Sequence, residues 1–288
     1  MLFSMTNGKM TVSADTHGAE LHSVRLGETE YLWQCGDAWK RYAPVLFPFI
    51  CSPKDKKYKA GGREYVMPSN HGFARDSEFA PAGNSDSSLS FFLNSDESTK
   101  KLFPYDFRLD VTYSFDKDRD DTLCVANTVT NTGSGPMFFY LGGHPAFNCP
   151  LEEGLSFEDY YVEYEKPETV IQVWNGTRTI LENENRLPMT RALFDNDVIM
   201  KDAPASKSIS LKSDKSSRGV TLSWNESCGC ISVWSPTGDD RAAFVCLEPW
   251  TSVPVYEDDA FEDIESKPHA VRLEQGCSFT FEYRIRVF

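Results

Sequence analysis

In the segment FRLDVTYSF, Phe107, Leu109, Val111, Tyr113 and Phe115 are apolar, while Arg108, Asp110, Thr112 and Ser114 are polar. A repeat of two places these sets on opposite faces of an extended chain, so the segment predicts a half-buried β-strand. FTFEYRIRV near the C-terminus has the same pattern, with Phe279, Phe281, Tyr283, Ile285 and Val287 inward and Glu282, Arg284 and Arg286 outward. Shorter strands are predicted at 19–26, 89–93, 122–131, 208–212, 219–224 and 231–234, where β-branched and aromatic residues cluster. FVCLEPW at 244–250 is an apolar strand in which Pro249 keeps the ladder from continuing through its own nitrogen.

Between these segments lie turn-rich pieces: PAGNSDSS at 81–88, NTGSGP at 131–136, KSDKSSRG at 212–219 and SPTGDDR at 235–241. Many strands divided by turns, with no strand–helix alternation and no long amphipathic helix, predict an all-β protein of antiparallel sheets packed face to face. Proline and glycine are spread along the chain and no change of composition divides it. A single domain over residues 1–288 is therefore expected.

Composition narrows the function classes. Acidic residues outnumber basic ones by 43 to 29, for a formal charge of −14, which opposes attraction to nucleic acid or an anionic membrane surface. No apolar run approaches the ~18 residues of a membrane helix, and MLFSMTNGKM lacks the features of a secretory signal. A cytoplasmic location is expected, with the eight cysteines as reduced thiols. The sequons at Asn175 and Asn225 point the other way but matter only in a secreted protein. EDDAFEDIE at 257–265 reads as a solvated loop.

The phosphate-binding loop GxxxxGK[ST], the GxSxG nucleophile elbow and the HExxH zinc motif are all missing. Cys228-Gly-Cys230 has no matching second pair to complete a zinc site. Three other stretches place a titratable group in a tight or apolar setting. His71 precedes Gly72 in SNHGFARD, with Arg75 four residues on. His144 stands between Gly142-Gly143, which leave the backbone loose, and Pro145, which fixes φ. Glu248 ends the apolar strand, facing the same way as Phe244 and Cys246, so it either pairs with a cation or sits at the strand's mouth beside a ligand. Two imidazoles and a carboxylate supply an acid and a base for proton transfer between sugar oxygens, and Trp250 offers a ring for the C–H face of a pyranose.

These same stretches carry a resemblance. GAELHSVRLGETEYLWQ at 18–34, RYAPVLFPF at 41–49, HGFARDSEF at 71–79, GHPAFNCP at 143–150, LFDNDVIM at 193–200, ISVWSP at 231–236 and FVCLEPW at 244–250 resemble, in order, the aldose 1-epimerase (galactose mutarotase-like) family, in its LacX-like branch. The resemblance implies a large galactose mutarotase-like supersandwich that binds a sugar in an open cleft without metal or organic cofactor. It implies that His144 is the general acid to the ring oxygen, Glu248 the base to the C1 hydroxyl, His71 a hydrogen-bonding partner near the reacting centre, and Asp197 a hydroxyl-binding group.

One departure stands out: where the branch has a Gly-Arg pair after LFPFI, this chain has Cys51-Ser52. Lys54, Arg41 or Arg75 would have to replace the missing charge, and lysine lacks the planar two-pronged geometry of arginine. The expected activity is interconversion of the α and β anomers of a hexose. Two alternatives stand beside it: a hexose-6-phosphate mutarotase using Arg41, Arg75 and Lys54 for the phosphate, and a non-catalytic carbohydrate-binding protein of the same fold. Oligomeric state is not legible.

Overall fold

In the computed structural model, which describes residues 1–173, 176–236, 242–254 and 263–288, the alternating segments become strands of one nine-stranded antiparallel sheet. Its spatial order is Arg178–Pro188, Tyr161–Gln172, Ser208–Ser213, Ser216–Trp224, Ser278–Val287, Thr122–Asn131, Phe107–Phe115, Ser88–Asn94 and Ala80–Asn84. Leu109, Val111, Tyr113, Phe281, Ile285 and Val287 are buried as the period of two requires. Fully burying one such side chain contributes about 1.5–3 kcal/mol, which fixes the register because a slip of one residue would turn the whole set outward.

The second large sheet bears the site. It runs Ile199–Asp202, Cys230–Trp234, Phe244–Trp250, Gly142–Gly143, Val45–Leu46, with Ala146–Asn148 also paired to Phe244–Trp250. Every residue of Phe244–Trp250 is buried, which explains why its sequence is an apolar run rather than an alternation. The strand does not stop at Glu248: Pro249 lies opposite Ile231 and Trp250 opposite Cys230, so the pairing continues past the proline although its nitrogen has no hydrogen to donate. The two large sheets share a core, and the Tyr283 hydroxyl reaches to Gly143, where an added Cβ would lie 2.6 Å from it.

A four-stranded N-terminal sheet, Leu2–Thr6, Met10–Asp15, Leu21–Leu26 and Thr29–Glu30, was only partly foreseen, through 19–26. Nor was the long hairpin Tyr161–Gln172 and Arg178–Pro188 predicted. Its polar, proline-containing strands lack a clean alternation, and register shifts interrupt their pairing. PAGNSDSS is not all turn, since Ala80–Asn84 forms an edge strand. Among the described residues the α-helix is confined to Glu97–Lys100, capped by the Asp96 carboxylate, which accepts the Ser98 and Thr99 N–H groups. Among the described residues no helix is long and apolar enough to cross a membrane. Residues 257–262 of the acidic run, 237–241 of the SPTGDDR turn and Asn175 lie outside the described residues.

Candidate active site

His144 is aimed by packing. Gly142 lies opposite Leu46 and Trp250, and Gly143 opposite Val45, both extended and both crowded. A Cβ on Gly142 would lie 2.6 Å from Cδ1 of Trp250, and one on Gly143 would meet the Tyr283 hydroxyl. The glycines therefore serve close packing; the looseness expected of them from sequence is absent. The His144 N–H donates to the Pro44 carbonyl at 3.1 Å, and the Leu247 N–H to the Pro145 carbonyl at 3.2 Å. The histidine backbone is thereby pinned between two strands.

Across from it, Glu248 projects from the neighbouring strand. Its Oε2 lies 3.2 Å from Nε2 of His144, without the alignment of a hydrogen bond. Both side chains are buried, at 1% and 7% exposure. Burial lowers the His144 imidazole to about 3, with Arg75 and Arg41 adding in the same direction. Burial likewise pushes the Glu248 carboxyl well above the usual carboxylate range, reinforced by the charge of Asp197 and opposed by the Trp250 indole. Each group favours its neutral form, so the pair holds one proton across a short gap.

His71 completes the cluster. Its ring meets that of His144 edge-on at 5.4 Å. The residue sits in the left-handed region, φ 64°, with Gly72 next to it at φ 76° pressed against the Phe47 carbonyl. Two hydrogen bonds to Cys51 hold this turn: the His71 N–H donates to the Cys51 carbonyl at 2.6 Å, and the Cys51 N–H donates to Nδ1 of His71 at 2.9 Å. Burial, then the nearby His144, lowers its pKa well below the ordinary histidine value. A neutral ring whose Nδ1 accepts must carry its hydrogen on Nε2, so His71 is a fixed donor.

The three groups border a cavity of about 810 Å³ that is also lined by Trp39, Trp234, Trp250, Ser52, Ser69, Asn70, Asp55, Lys56, Arg75 and Asp197. Trp39 stacks on His144 at 5.0 Å and Trp234 meets it edge-on at 5.6 Å. Asp197, in a turn at φ 69°, accepts the Trp234 indole N–H at 2.8 Å. Trp39 and Trp234 were not singled out in the sequence, although ISVWSP contains one of them. Tryptophan content alone does not tell a site ring from a core ring.

The proposed replacements for the missing arginine divide. Arg75 lines the cavity, and its buried Nε makes no hydrogen bond but lies 3.8 Å from the Asp76 carboxylate. Arg41 instead turns to Asp76 at 2.6 Å and to the Arg75 carbonyl at 3.1 Å, which makes it a brace rather than a lining residue. Lys54 is exposed on the short turn Lys54–Lys56 and does not border the cavity; Lys56, two residues on, does. Two successive left-handed residues, Asp55 and Lys56, reverse the chain there and exchange the expected lysine for its neighbour.

Cys246, two residues before Glu248 on the same face, brings a sulfur within 4.8 Å of ligand atoms of His144 and Glu248. The set does not make a good metal site. Burial holds the thiol well above its ordinary pKa, and His144 Nδ1 lacks the partner that a ligating imidazole normally has for its second nitrogen. Cys228 and Cys230 are buried, with the Cys228 thiol donating to the Cys230 carbonyl at 3.2 Å.

Known proteins match this architecture along its length. The family model for aldose 1-epimerase covers residues 1–286. Protein LacX of Lactococcus lactis subsp. lactis is 29% identical over 295 residues, covering 95% of each chain. Among solved structures, a galactose mutarotase-like protein from Lactobacillus casei is 30% identical with a TM-score of 0.90 and full coverage of both chains. A galactose mutarotase related enzyme from Lactobacillus acidophilus is 28% identical with a TM-score of 0.91, covering 100% of this chain and 97% of that one. A putative aldose 1-epimerase from Escherichia coli K12, at 17% identity and a TM-score of 0.78, shares the fold. With the sheet order, the cavity and these relatives in agreement, the chain belongs to the aldose 1-epimerase family.

Proposed function

We propose that this protein, working as one domain in the cytoplasm, interconverts the anomers of a free aldohexose by acid–base ring opening and closure. The observation that carries the reading is the 3.2 Å approach of His144 Nε2 to Glu248 Oε2 on the floor of a polar-rimmed cavity. With one proton on the histidine, His144 donates it to the ring oxygen while Glu248 removes the proton from the C1 hydroxyl. The C1–O5 bond breaks, C1 becomes an aldehyde, and the proton now rests on the carboxyl. Rotation about C1–C2 presents the other carbonyl face, and the reverse transfers close the ring. The neutral imidazole and carboxylic acid that burial favours are the state required after ring opening, so the cycle needs no proton from solvent. Nε2–H of His71 donates to an oxygen beside the reacting centre, and Trp39 and Trp234 provide rings for the sugar's C–H face. Trp250, at 1% exposure and packed against Gly142, has no open ring face for the role expected of it from sequence.

Charge on the lining favours a neutral sugar over a phosphorylated one. Arg75 and Lys56 are offset by Asp55 and Asp197, and the one-proton pair of His144 and Glu248 adds no net charge. The hexose-6-phosphate reading rests on the Arg75 guanidinium in the lining, whose nearest acid, Asp76, lies 3.8 Å from Nε and leaves its charge open to a phosphate. Measuring anomer exchange by NMR for glucose, galactose and glucose 6-phosphate separates these readings. Acceleration for a free hexose supports the proposal, acceleration confined to the phosphate supports the alternative, and binding without acceleration marks a non-catalytic carbohydrate-binding protein.

A further inference from the structure

The stretch GAELHSVRLGETEYLWQ supplies no residue to the cavity lining, yet its Glu20 is buried, at 5% exposure, in the turn between Met10–Asp15 and Leu21–Leu26. Burying a carboxylate costs several kcal/mol unless it is well paired, so its partners are informative. A single oxygen, Oε1, accepts both the Tyr42 N–H at 2.8 Å and the Ala43 N–H at 2.9 Å. The same short segment faces the histidine turn on its other edge. The Tyr42 carbonyl accepts the Ala146 N–H at 3.0 Å, and the Pro44 carbonyl accepts the His144 N–H at 3.1 Å. Residues 42–44 are thus clamped between a buried carboxylate and the backbone that carries His144. Just before them, Arg41 reaches to the Arg75 carbonyl and Asp76, in the loop that follows His71.

We propose that Glu20 is a positioning residue for the acid–base pair: through the Tyr42–Pro44 segment it sets the position of His144 relative to Glu248. The proposal rests on the mutarotase reading. Its basis is geometric reach, because one oxygen must lie within hydrogen-bonding distance of two successive N–H groups. A displacement of about 1 Å at a reacting group costs on the order of a hundredfold in rate, so a small slackening of this clamp is readable in kcat.

Two conservative variants separate reach from charge. Glu20→Gln keeps the chain length and an acceptor oxygen but removes the charge, whereas Glu20→Asp keeps the charge and withdraws the oxygen by one methylene. The proposal predicts that Glu20→Gln retains kcat within about threefold, while Glu20→Asp loses kcat by about tenfold or more with KM changed by less than about threefold. The His144 imidazole nitrogen resonances should shift in the aspartate variant and not in the glutamine one. If Glu20→Asp does not fold, Glu20→Met, which fills the same space without an acceptor, replaces it. Loss of folding in both counts against a purely positioning contact. A folded Glu20→Asp with wild-type kcat, or a Glu20→Gln as slow as the aspartate variant, overturns the proposal. Should the wild-type protein show no mutarotation, that reading fails separately, and the His144 resonances still report whether Glu20 holds the histidine.

Discussion

The floor and the rim of the cavity are built differently. His144 and Glu248 project from, or directly beside, hydrogen-bonded strands and are nearly inaccessible, with crowded glycines behind the histidine. The rim comes from turns. Cys51, Asp55, Lys56, His71 and Asp197 all have positive φ, and Asp55, Lys56 and Asp197 are exposed. A left-handed conformation is costly for a residue with a side chain and persists only where its surroundings enforce it. In the proposed mechanism the floor fixes the distance over which a proton moves, whereas the rim can change sequence, as at Cys51-Ser52, without disturbing the sheet. The proposal thereby separates chemistry from recognition, and substitutions on the two parts should fail in different ways.

The largest effects belong to the floor. His144→Ala and Glu248→Gln should each lower kcat by about 10²–10⁴-fold, the usual contribution of a placed acid or base, with sugar binding and melting temperature little changed. Steady-state mutarotation kinetics alongside calorimetric sugar binding checks this. Gly143→Val should destabilise the protein by about 1–3 kcal/mol through overpacking against Tyr283, read as a drop in the urea midpoint.

The pH profile tests the electrostatics of the floor. Ordinary groups would confine a histidine acid and a glutamate base to the window between about 4.3 and 6.5. Here the one-proton pair gains a second proton only on acidification toward the lowered value of His144, about 3, and loses its proton only above the raised value of Glu248. The profile of kcat/KM should therefore be flat through pH 6.5, its acid limb displaced downward and its alkaline limb upward. A descending limb centred near 6.5 would contradict this assignment.

Rim substitutions should act on KM. Trp234→Phe removes the hydrogen bond that holds Asp197, so KM should rise by roughly 2–10-fold, matching about 0.5–1.5 kcal/mol, with kcat held. Lys56→Ala, at an exposed cation, should change KM by less than about fivefold for a neutral sugar. A much larger effect for a sugar phosphate would move the recognition assignment toward the phosphorylated substrate.

The same division governs what the sequence revealed. Phe107–Phe115 and Ser278–Val287 were readable because each is buried on one face, so a period of two survives in the residues themselves. Phe244–Trp250, buried on both faces, was readable as an apolar run interrupted by one carboxylate. The strands Tyr161–Gln172 and Arg178–Pro188 were not, because their pairing is irregular and much of their surface is exposed. His71, His144 and Glu248 stood out as titratable groups in unusual settings, and their spatial meeting was expected from the family resemblance. The orientation of Arg41, the exchange of Lys54 for Lys56 and the stacking of Trp39 depend on turn geometry and long-range contacts that no local pattern encodes.

The central claim is that one proton passes between His144 and Glu248 by way of a bound sugar. It is tested most directly by the anomer exchange rate of an accepted hexose, measured by magnetisation-transfer NMR, with the wild-type protein and with Glu248→Gln at equal, saturating sugar. The account predicts strong acceleration by the wild type and near-background exchange with the variant, both proteins binding sugar alike. Equal acceleration by the two would contradict it.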